Sequence, residues 1–540
     1  MAINVPGLIS VIVFYLIILV IGIIAGRKTA KSGTTQEMLV ADRSMNLVVA
    51  FFTLAASHIG GGYINGTAEI MASSGAVWAQ APVAYCISFI INGIFFGPKM
   101  RRAEYITMFD PFQIKLGKRV GALMCVPQFL GDLFWTASIL AALGSTISII
   151  LDADEIVSIV ISAIVAIFYT FLGGLWSVAY TDVVQLLCIA IGLVIAAPFS
   201  LIHDAVDIER VVDTWQGNLQ PNQIGYYIDV YCLLLFGGIP WQAYYQRTLA
   251  CKSPESARLA SFLASIACFL FAIPAAIMGI AGASANWNET NYQGLIPIPQ
   301  DKMSYILPLT LQHLCPLPVA IIGMGAISAA VMSSADSSIL STASVFASNI
   351  YRELFRKHAS DREILWVLRI SIIVTGTLAT TIAITAKSVY GLYVLCSDLM
   401  YVILFPQLVA IMYFDVTNAY GSITGYVIGF LIRILGGEPL IKIPALVKFP
   451  FYDSEFGQGF PFRTFAMLLS FIAIIGISKL FEYLFLSGKI PIKYDIFLCS
   501  SPNFRNRLKM FKSTQEMKRD MREYVEMKKI SSFKGEHVIL

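Results

Sequence analysis

Apolar residues along this chain come in long runs separated by short polar stretches. Thirteen runs can be marked, near 6–26, 48–73, 81–98, 121–150, 156–172, 182–202, 229–246, 257–282, 316–350, 364–386, 389–413, 421–435 and 461–486. A helix needs ~20 apolar residues to cross a lipid bilayer. The pattern predicts an all-α polytopic membrane protein with 13 transmembrane helices, the runs at 389–413 and 421–435 being the shortest or most broken. The division it suggests is a first span and loop at 1–47, a core at 48–435 whose second half starts near 229, a loop and last span at 436–486, and a tail at 487–540.

Composition agrees. Of 540 residues, 57% are apolar and 13% charged, against roughly 25% charged in soluble domains. A soluble globular protein, a disordered chain and a nucleic-acid binder are excluded. The net charge of +4 is too small to act as a field of the whole molecule. Nine cysteines, mostly inside apolar runs and without C-x-x-C spacing, read as small buried hydrophobes.

The position of the charges gives a topology. No basic residue precedes the first run, and Arg27, Lys28 and Lys31 follow it. This is the reverse of a cleavable signal, and the positive-inside rule places the N-terminus outside. Thirteen spans from that start put the loops at 27–47, 99–120, 247–258 and 351–363 and the tail inside, where most of the 38 Lys and Arg fall. Asn288-Glu289-Thr290, a glycosylation sequon, then falls outside. The tail, with Arg505, Arg507, Lys509, Lys512, Lys518 and Arg519, reads as a segment held at an anionic membrane surface.

Two runs are interrupted in the same way. The second contains Gly60-Gly61-Gly62 and the seventh Gly237-Gly238-Ile239-Pro240. Such sequences break the helical hydrogen-bond ladder, which lipid tolerates only where the freed backbone lines an enclosed cavity. Five spans separate the breaks, the spacing expected of two inverted five-helix repeats with ion and substrate sites at mid-membrane. Ordinary glycine contacts between packed helices are the competing explanation. The ninth run adds Ala329-Ala330-Val331-Met332-Ser333-Ser334-Ala335-Asp336-Ser337-Ser338. Ala330, Ser333 and Ser334 share one helix face. Their oxygens suit a hard cation such as Na⁺, and Asp336 is a candidate second cation or coupling group, because an intramembrane carboxylate is a functional candidate by default. Tyr63, Tyr85, Trp135, Trp241, Tyr244 and Tyr245 lie near the breaks. Ring faces there could cage a quaternary ammonium, although interfacial belts and packing account for many membrane aromatics.

At this point four stretches resemble the high-affinity choline transporters of the sodium/solute symporter family. They are Gly60-Gly61-Gly62-Tyr63-Ile64-Asn65-Gly66-Thr67-Ala68-Glu69, Ala179-Tyr180-Thr181-Asp182-Val183-Val184-Gln185-Leu186, Gly237-Gly238-Ile239-Pro240-Trp241-Gln242-Ala243-Tyr244 and Ser333-Ser334-Ala335-Asp336-Ser337-Ser338. The resemblance spans about residues 5–490. It implies a LeuT-type 5+5 inverted-repeat core and a Na⁺- and Cl⁻-dependent symporter, not an enzyme. Such a protein imports choline across the plasma membrane, including the presynaptic membrane and its vesicles, for acetylcholine synthesis. It implies Na⁺ held by Ala56, Ile59, Ala330, Ser333 and Ser334, and a choline cage at Tyr85, Trp135 and Trp241. Two departures stand out. Where these transporters have Thr-Trp-Val before the glycines, this chain has Ser57-His58-Ile59, which puts His58 into the cage. Asp132 replaces the usual Glu. Imidazole is a poorer cation–π surface than indole, so a symporter for another organic cation or small solute, and a transport-dead sensor or channel, stay open as readings. No catalytic residue and no cofactor beyond the ions is expected.

Overall fold

A backbone without access to water has to satisfy its own hydrogen bonds, and a helix does so locally. The computed structural model describes residues 5–29, 35–151, 154–172, 175–207, 209, 212, 215–385, 388–453 and 457–497. The basic tail from Arg505 to Arg519 lies outside the described residues.

Every apolar run forms helix. The order begins with α1 (Val5–Thr29), the pair α2 (Leu47–His58) and α3 (Gly61–Ser73), then α4 (Ala76–Arg102). It continues with α5 (Cys125–Leu151), α6 (Glu155–Leu172) and α7 (Leu175–Leu201). A second interrupted pair follows, α8 (Ile224–Gly237) and α9 (Gln242–Ala250), then α10 (Pro254–Ser284). A short helix that no long run announced, α11 (Ile306–Leu314), precedes α12 (Leu317–Val345) and α13 (Asp361–Thr385). The last are α14 (Val389–Tyr413), α15 (Ala419–Leu435) and α16 (Phe462–Leu486). Among the described residues, nine helical segments are long and apolar enough to cross a bilayer, and the α2–α3 pair, bent by 48°, makes a tenth. Shorter apolar helices at Ile12–Gly22, Glu155–Phe168 and Ala419–Leu435 occupy the other three runs.

Large apolar side chains such as Ile164, Val194 and Ile472 are more than half exposed, while Ser, Thr, Asp and Gln fill much of the interior. The interior keeps a large apolar core, and what differs from a water-soluble protein is the apolar outer surface, as lipid requires. Small residues set the packing distance. Gly421 and Gly425 of α15 sit so close to α16 that a Cβ on Gly421 would lie 2.2 Å from the Ile474 carbonyl oxygen, and one on Gly425 2.7 Å from that of Ser470.

Loops close the two ends. At one end, called here the sequon face, Val206 bridges to Ala285 and the Trp78 carbonyl accepts from Tyr390 Oη at 3.1 Å. At the other, the basic face, Met45 bridges to Cys251, Arg101 Nε donates to the Cys251 carbonyl at 2.6 Å, and Lys115 Nζ to that of Phe414 at 2.6 Å. Between these layers α2–α3, α5, α7, α9, α12 and α14 meet at mid-depth.

Candidate functional site

The first break is built by close approach. Ile59 leaves the helix at φ −82°, ψ 65°, and Gly60 is extended at φ −108°, ψ −173°. The last carbonyls of α2 therefore have no following turn to bond. A Cβ on Gly60 would fall 1.6 Å from Ser334 Oγ and 3.4 Å from the Ala330 carbonyl oxygen. One on Gly61 would meet Val331 at 2.4 Å, and one on Gly62 Ser138 Oγ at 2.5 Å. The triple glycine thus presses the break that follows Ala56 and Ile59 onto α12. Ser334 Oγ is buried and makes no hydrogen bond.

Ser333 points elsewhere than the shared face suggested. Its Oγ donates to Asp182 Oδ1 of α7 at 2.5 Å. Thr53 of α2 donates to the other oxygen of that carboxylate. Arg247 of α9 stands 3.9 Å from Asp182 and donates to Ser337 Oγ at 2.5 Å. Asp336 lies in the field of Asp182 and Arg247, and both its carboxylate oxygens are buried without a side-chain hydrogen bond. Gln185, one turn from Asp182, likewise has both amide atoms unbonded. Four helices therefore converge on two carboxylates and one guanidinium whose polar atoms are only partly used.

At the second break Trp241 takes a β conformation, and its Nε1 donates to the freed Gly237 carbonyl at 2.8 Å. Its ring meets Trp135 edge-on at 5.0 Å between centroids. The His58 ring lies 5.8 Å from Trp135 and 4.9 Å from Phe89. Tyr85 completes the group through Ser397, with Oη and Oγ 2.6 Å apart, and through Tyr393 at 5.5 Å between rings. His58 Nδ1 is 3.1 Å from both the Leu54 carbonyl and Ser57 Oγ. All of these rings are buried.

Of the four ring positions singled out in the sequence, His58, Trp135 and Trp241 form one cluster, and Tyr85 stands beside Gly238 of the second break, packed on Tyr393. Phe89, Tyr393 and Ser397 were missed. Phe89 follows Tyr85 by four residues, and Ser397 follows Tyr393 by four, so the same helix faces carry them. Pro240 sits in the second break, where Gly237 would clash with the Ser397 carbonyl if it bore a Cβ, at 2.4 Å. Asn288 is exposed in a short turn at the sequon face.

Toward the sequon face lies a second charged group that the sequence reading did not isolate. Arg433 Nε donates to Asp398 Oδ2 at 2.6 Å and its Nη2 to Glu438 Oε2 at 2.6 Å. Arg463 reaches the same two oxygens at 3.2 Å each and stands 3.6 Å from Asp229, which also accepts from the Thr464 backbone and hydroxyl at 2.7 Å. Beside it a cavity of about 750 Å³, bordered by Trp78, Tyr226, Tyr390 and Glu438, opens to that face.

Two broken helices packed on a hydroxyl-rich third, around buried charge, define an ion-coupled secondary transporter. The same fold occurs in a Na⁺-coupled sialic acid symporter solved in a substrate-bound outward-open state, at a TM-score of 0.71 and 17% identity over 88% of this chain and 98% of that one. The chain belongs to the sodium:solute symporter family, whose model matches residues 38–429. Its relatives include high-affinity choline transporter 1 of Drosophila melanogaster, 50% identical over 92% of this chain and 82% of the relative. The Homo sapiens protein of that name is 48% identical over 92% of this chain and 89% of the relative. Sodium-coupled monocarboxylate transporter 2 of Homo sapiens is 22% identical over 69% of this chain.

Proposed function

We propose that the chain is a Na⁺-coupled symporter that imports choline by alternating access. The observation that carries this reading is the 48–50% identity, over 92% of the chain, to proteins named choline transporters. The site is in keeping with it. A quaternary ammonium offers no N–H to donate and is held by ring faces, and His58, Tyr85, Phe89, Trp135 and Trp241 supply such faces. Na⁺ would take the carbonyls of Ala56, Ile59 and Ala330 with the hydroxyl of Ser334, and Ser333 would join them on turning its hydroxyl away from Asp182. Asp336 is the candidate for a second coupling step. Na⁺ then ties the first break to α12 and favours the conformation that accepts substrate from the sequon face.

The energetics suffice. A tenfold Na⁺ gradient supplies ~1.4 kcal/mol, and a potential of about 70 mV roughly 1.6 kcal/mol per charge. One Na⁺ thus supports accumulation of a neutral solute by a factor on the order of 100. A cationic substrate gains the voltage term as well.

In this reading the sequon face is outside, the N-terminus outside and the C-terminus cytoplasmic. The membrane is the plasma membrane, presynaptic in cholinergic cells, with Asn288 the glycan acceptor. Chloride is carried as a required ion. The test is uptake of labelled choline by expressing cells with Na⁺ replaced by N-methylglucamine, and separately with Cl⁻ replaced by gluconate. Saturable uptake abolished by the first substitution supports the symporter; accumulation of another solute, with none of choline, removes the substrate assignment. That other outcome has one observation in its favour, the imidazole of His58 in the wall of the cage.

A further inference from the structure

Gln128, Asp132 and Trp135 follow one face of α5 at intervals of four and three residues. Trp135 is a wall of the aromatic cage. Asp132 lies one turn further toward the basic face and is wholly buried. Thr342 of α12 donates to its Oδ2 at 2.6 Å, and Ser338 Oγ approaches its backbone carbonyl at 3.4 Å while paired with Thr136 at 2.8 Å. The other carboxylate oxygen, Oδ1, is buried. Gln128 Nε2 and Ser341 Oγ are the polar side-chain atoms beside this carboxylate, and both are buried. Among the described residues no Lys, Arg or His nitrogen is within ion-pair distance of it. A buried charge in that condition is costly unless a counter-charge visits it.

Three features indicate which counter-charge. The donors are carboxylate and hydroxyl oxygens on two helices, with no ring face among them, so they suit a small, partly dehydrated cation better than a quaternary ammonium. They are wholly or almost wholly buried. They also continue a line. Ser334, Ser338, Ser341 and Thr342 stand at i, i+4, i+7 and i+8 on α12, one stripe of hydroxyls. It starts where Gly60 packs and descends toward the basic face over ~12 Å at 1.5 Å per residue.

We propose that Asp132, with Ser338, Ser341 and Thr342, forms a second Na⁺ site between α5 and α12. Na⁺ occupies it after leaving Ser334 and before release to the cytoplasm. The proposal rests on the symporter reading above. It assigns Asp132 to the ion, although the residue lies directly beneath the substrate cage.

The test uses full-length protein reconstituted in vesicles of defined internal Na⁺, with labelled choline and a fixed Na⁺ concentration outside. Each variant's initial uptake at zero internal Na⁺ is its own reference. Internal Na⁺ slows uptake by refilling the site, so in Asp132→Asn the concentration for half inhibition rises by about tenfold or more. In Ser341→Ala, which removes one hydroxyl beside the carboxylate, it rises by a few fold. Asp132→Glu restores inhibition toward wild type. Unchanged inhibition in Asp132→Asn and Ser341→Ala overturns the site. A shift in choline half-saturation with unaltered internal-Na⁺ inhibition also overturns it, by making Asp132 a substrate residue. Should Asp132→Asn fail to reach the membrane, Ser341→Ala decides alone. If wild-type uptake needs no external Na⁺, the symporter reading itself fails. If uptake needs external Na⁺ and the variants leave internal inhibition untouched, only the Asp132 site fails.

Discussion

Two of the charged clusters buried among the described residues are wired differently. Near the sequon face Asp229, Asp398 and Glu438 share Arg433 and Arg463, and most of their polar atoms are bonded. At mid-depth Asp182 and Asp336 share Arg247, Asp336 has no side-chain hydrogen bond, and both Gln185 amide atoms and Ser334 Oγ bond nothing. The group near the sequon face is the more exposed of the two, Glu438 bordering the open cavity, yet it is the more fully bonded, so exposure does not explain the contrast. A saturated group holds one arrangement; a partly used one keeps coordination in reserve for a transient charge. The first joins α8, α14, α15 and α16 as a clamp. The second lies where α2, α7, α9 and α12 have to exchange partners during transport.

Removing one side of the clamp should have the largest effect. Arg463→Met leaves Asp398 and Asp229 short of their counter-charge, and breaking a buried pair costs ~3–5 kcal/mol. Purified protein should melt markedly earlier, and added Na⁺ should not restore the loss. Restoration by Na⁺ would place the clamp in the ion pathway and erase the distinction between the groups.

Ser334→Ala is the reciprocal case. The hydroxyl has no partner to strand, so thermal stability without Na⁺ should hold, while half-saturation by external Na⁺ rises about tenfold, equivalent to ~1.4 kcal/mol. A stability loss with unchanged Na⁺ dependence would show that Ser334 is packing and nothing more.

A smaller change is expected in the cage. Trp241→Leu removes one ring face and should raise the choline half-saturation by several fold, in line with ~1 kcal/mol per cation–π contact. His58→Trp should lower it. No response to His58→Trp would detach His58 from the substrate wall.

The smallest effect belongs to the exposed pair of Lys302 and Glu155, 3.1 Å apart at the sequon face. Lys302→Met should change stability by under ~0.5 kcal/mol and uptake not at all. It marks the level below which a difference between the two buried groups has no meaning.

Much of this was legible in the chain. Apolar run length translates directly into helix when the solvent is lipid, so helices and both breaks appeared where the sequence placed them, ten of the thirteen expected spans, the bent pair included, being long and apolar enough to cross among the described residues. Helix α11 did not, because nine residues with a mixed pattern carry no length signal. His58, Tyr85, Trp135 and Trp241 could be named because they adjoin the breaks. Phe89, Tyr393 and Ser397 could not, because only the fold brings α4 against α14. The clamp left a trace that went unused: Asp398 and Arg433 lie inside apolar runs, where a charge calls for a partner. Partners on four separate helices have no common spacing to betray them. Ser333 turned to Asp182 instead of to Ser334's side because α7 offers a carboxylate there.

One contact has a mechanical meaning. The Trp241 ring is part of the cage wall, and its Nε1 is bolted to the Gly237 carbonyl on the far side of the break. It works as a hinge pin that is also a wall. If α9 swings relative to α8, the pin either travels with the motion or shears, and the cage deforms with it. Substrate grip and joint angle are then one degree of freedom, so a ligand that wedges the ring in place locks the joint without touching an ion.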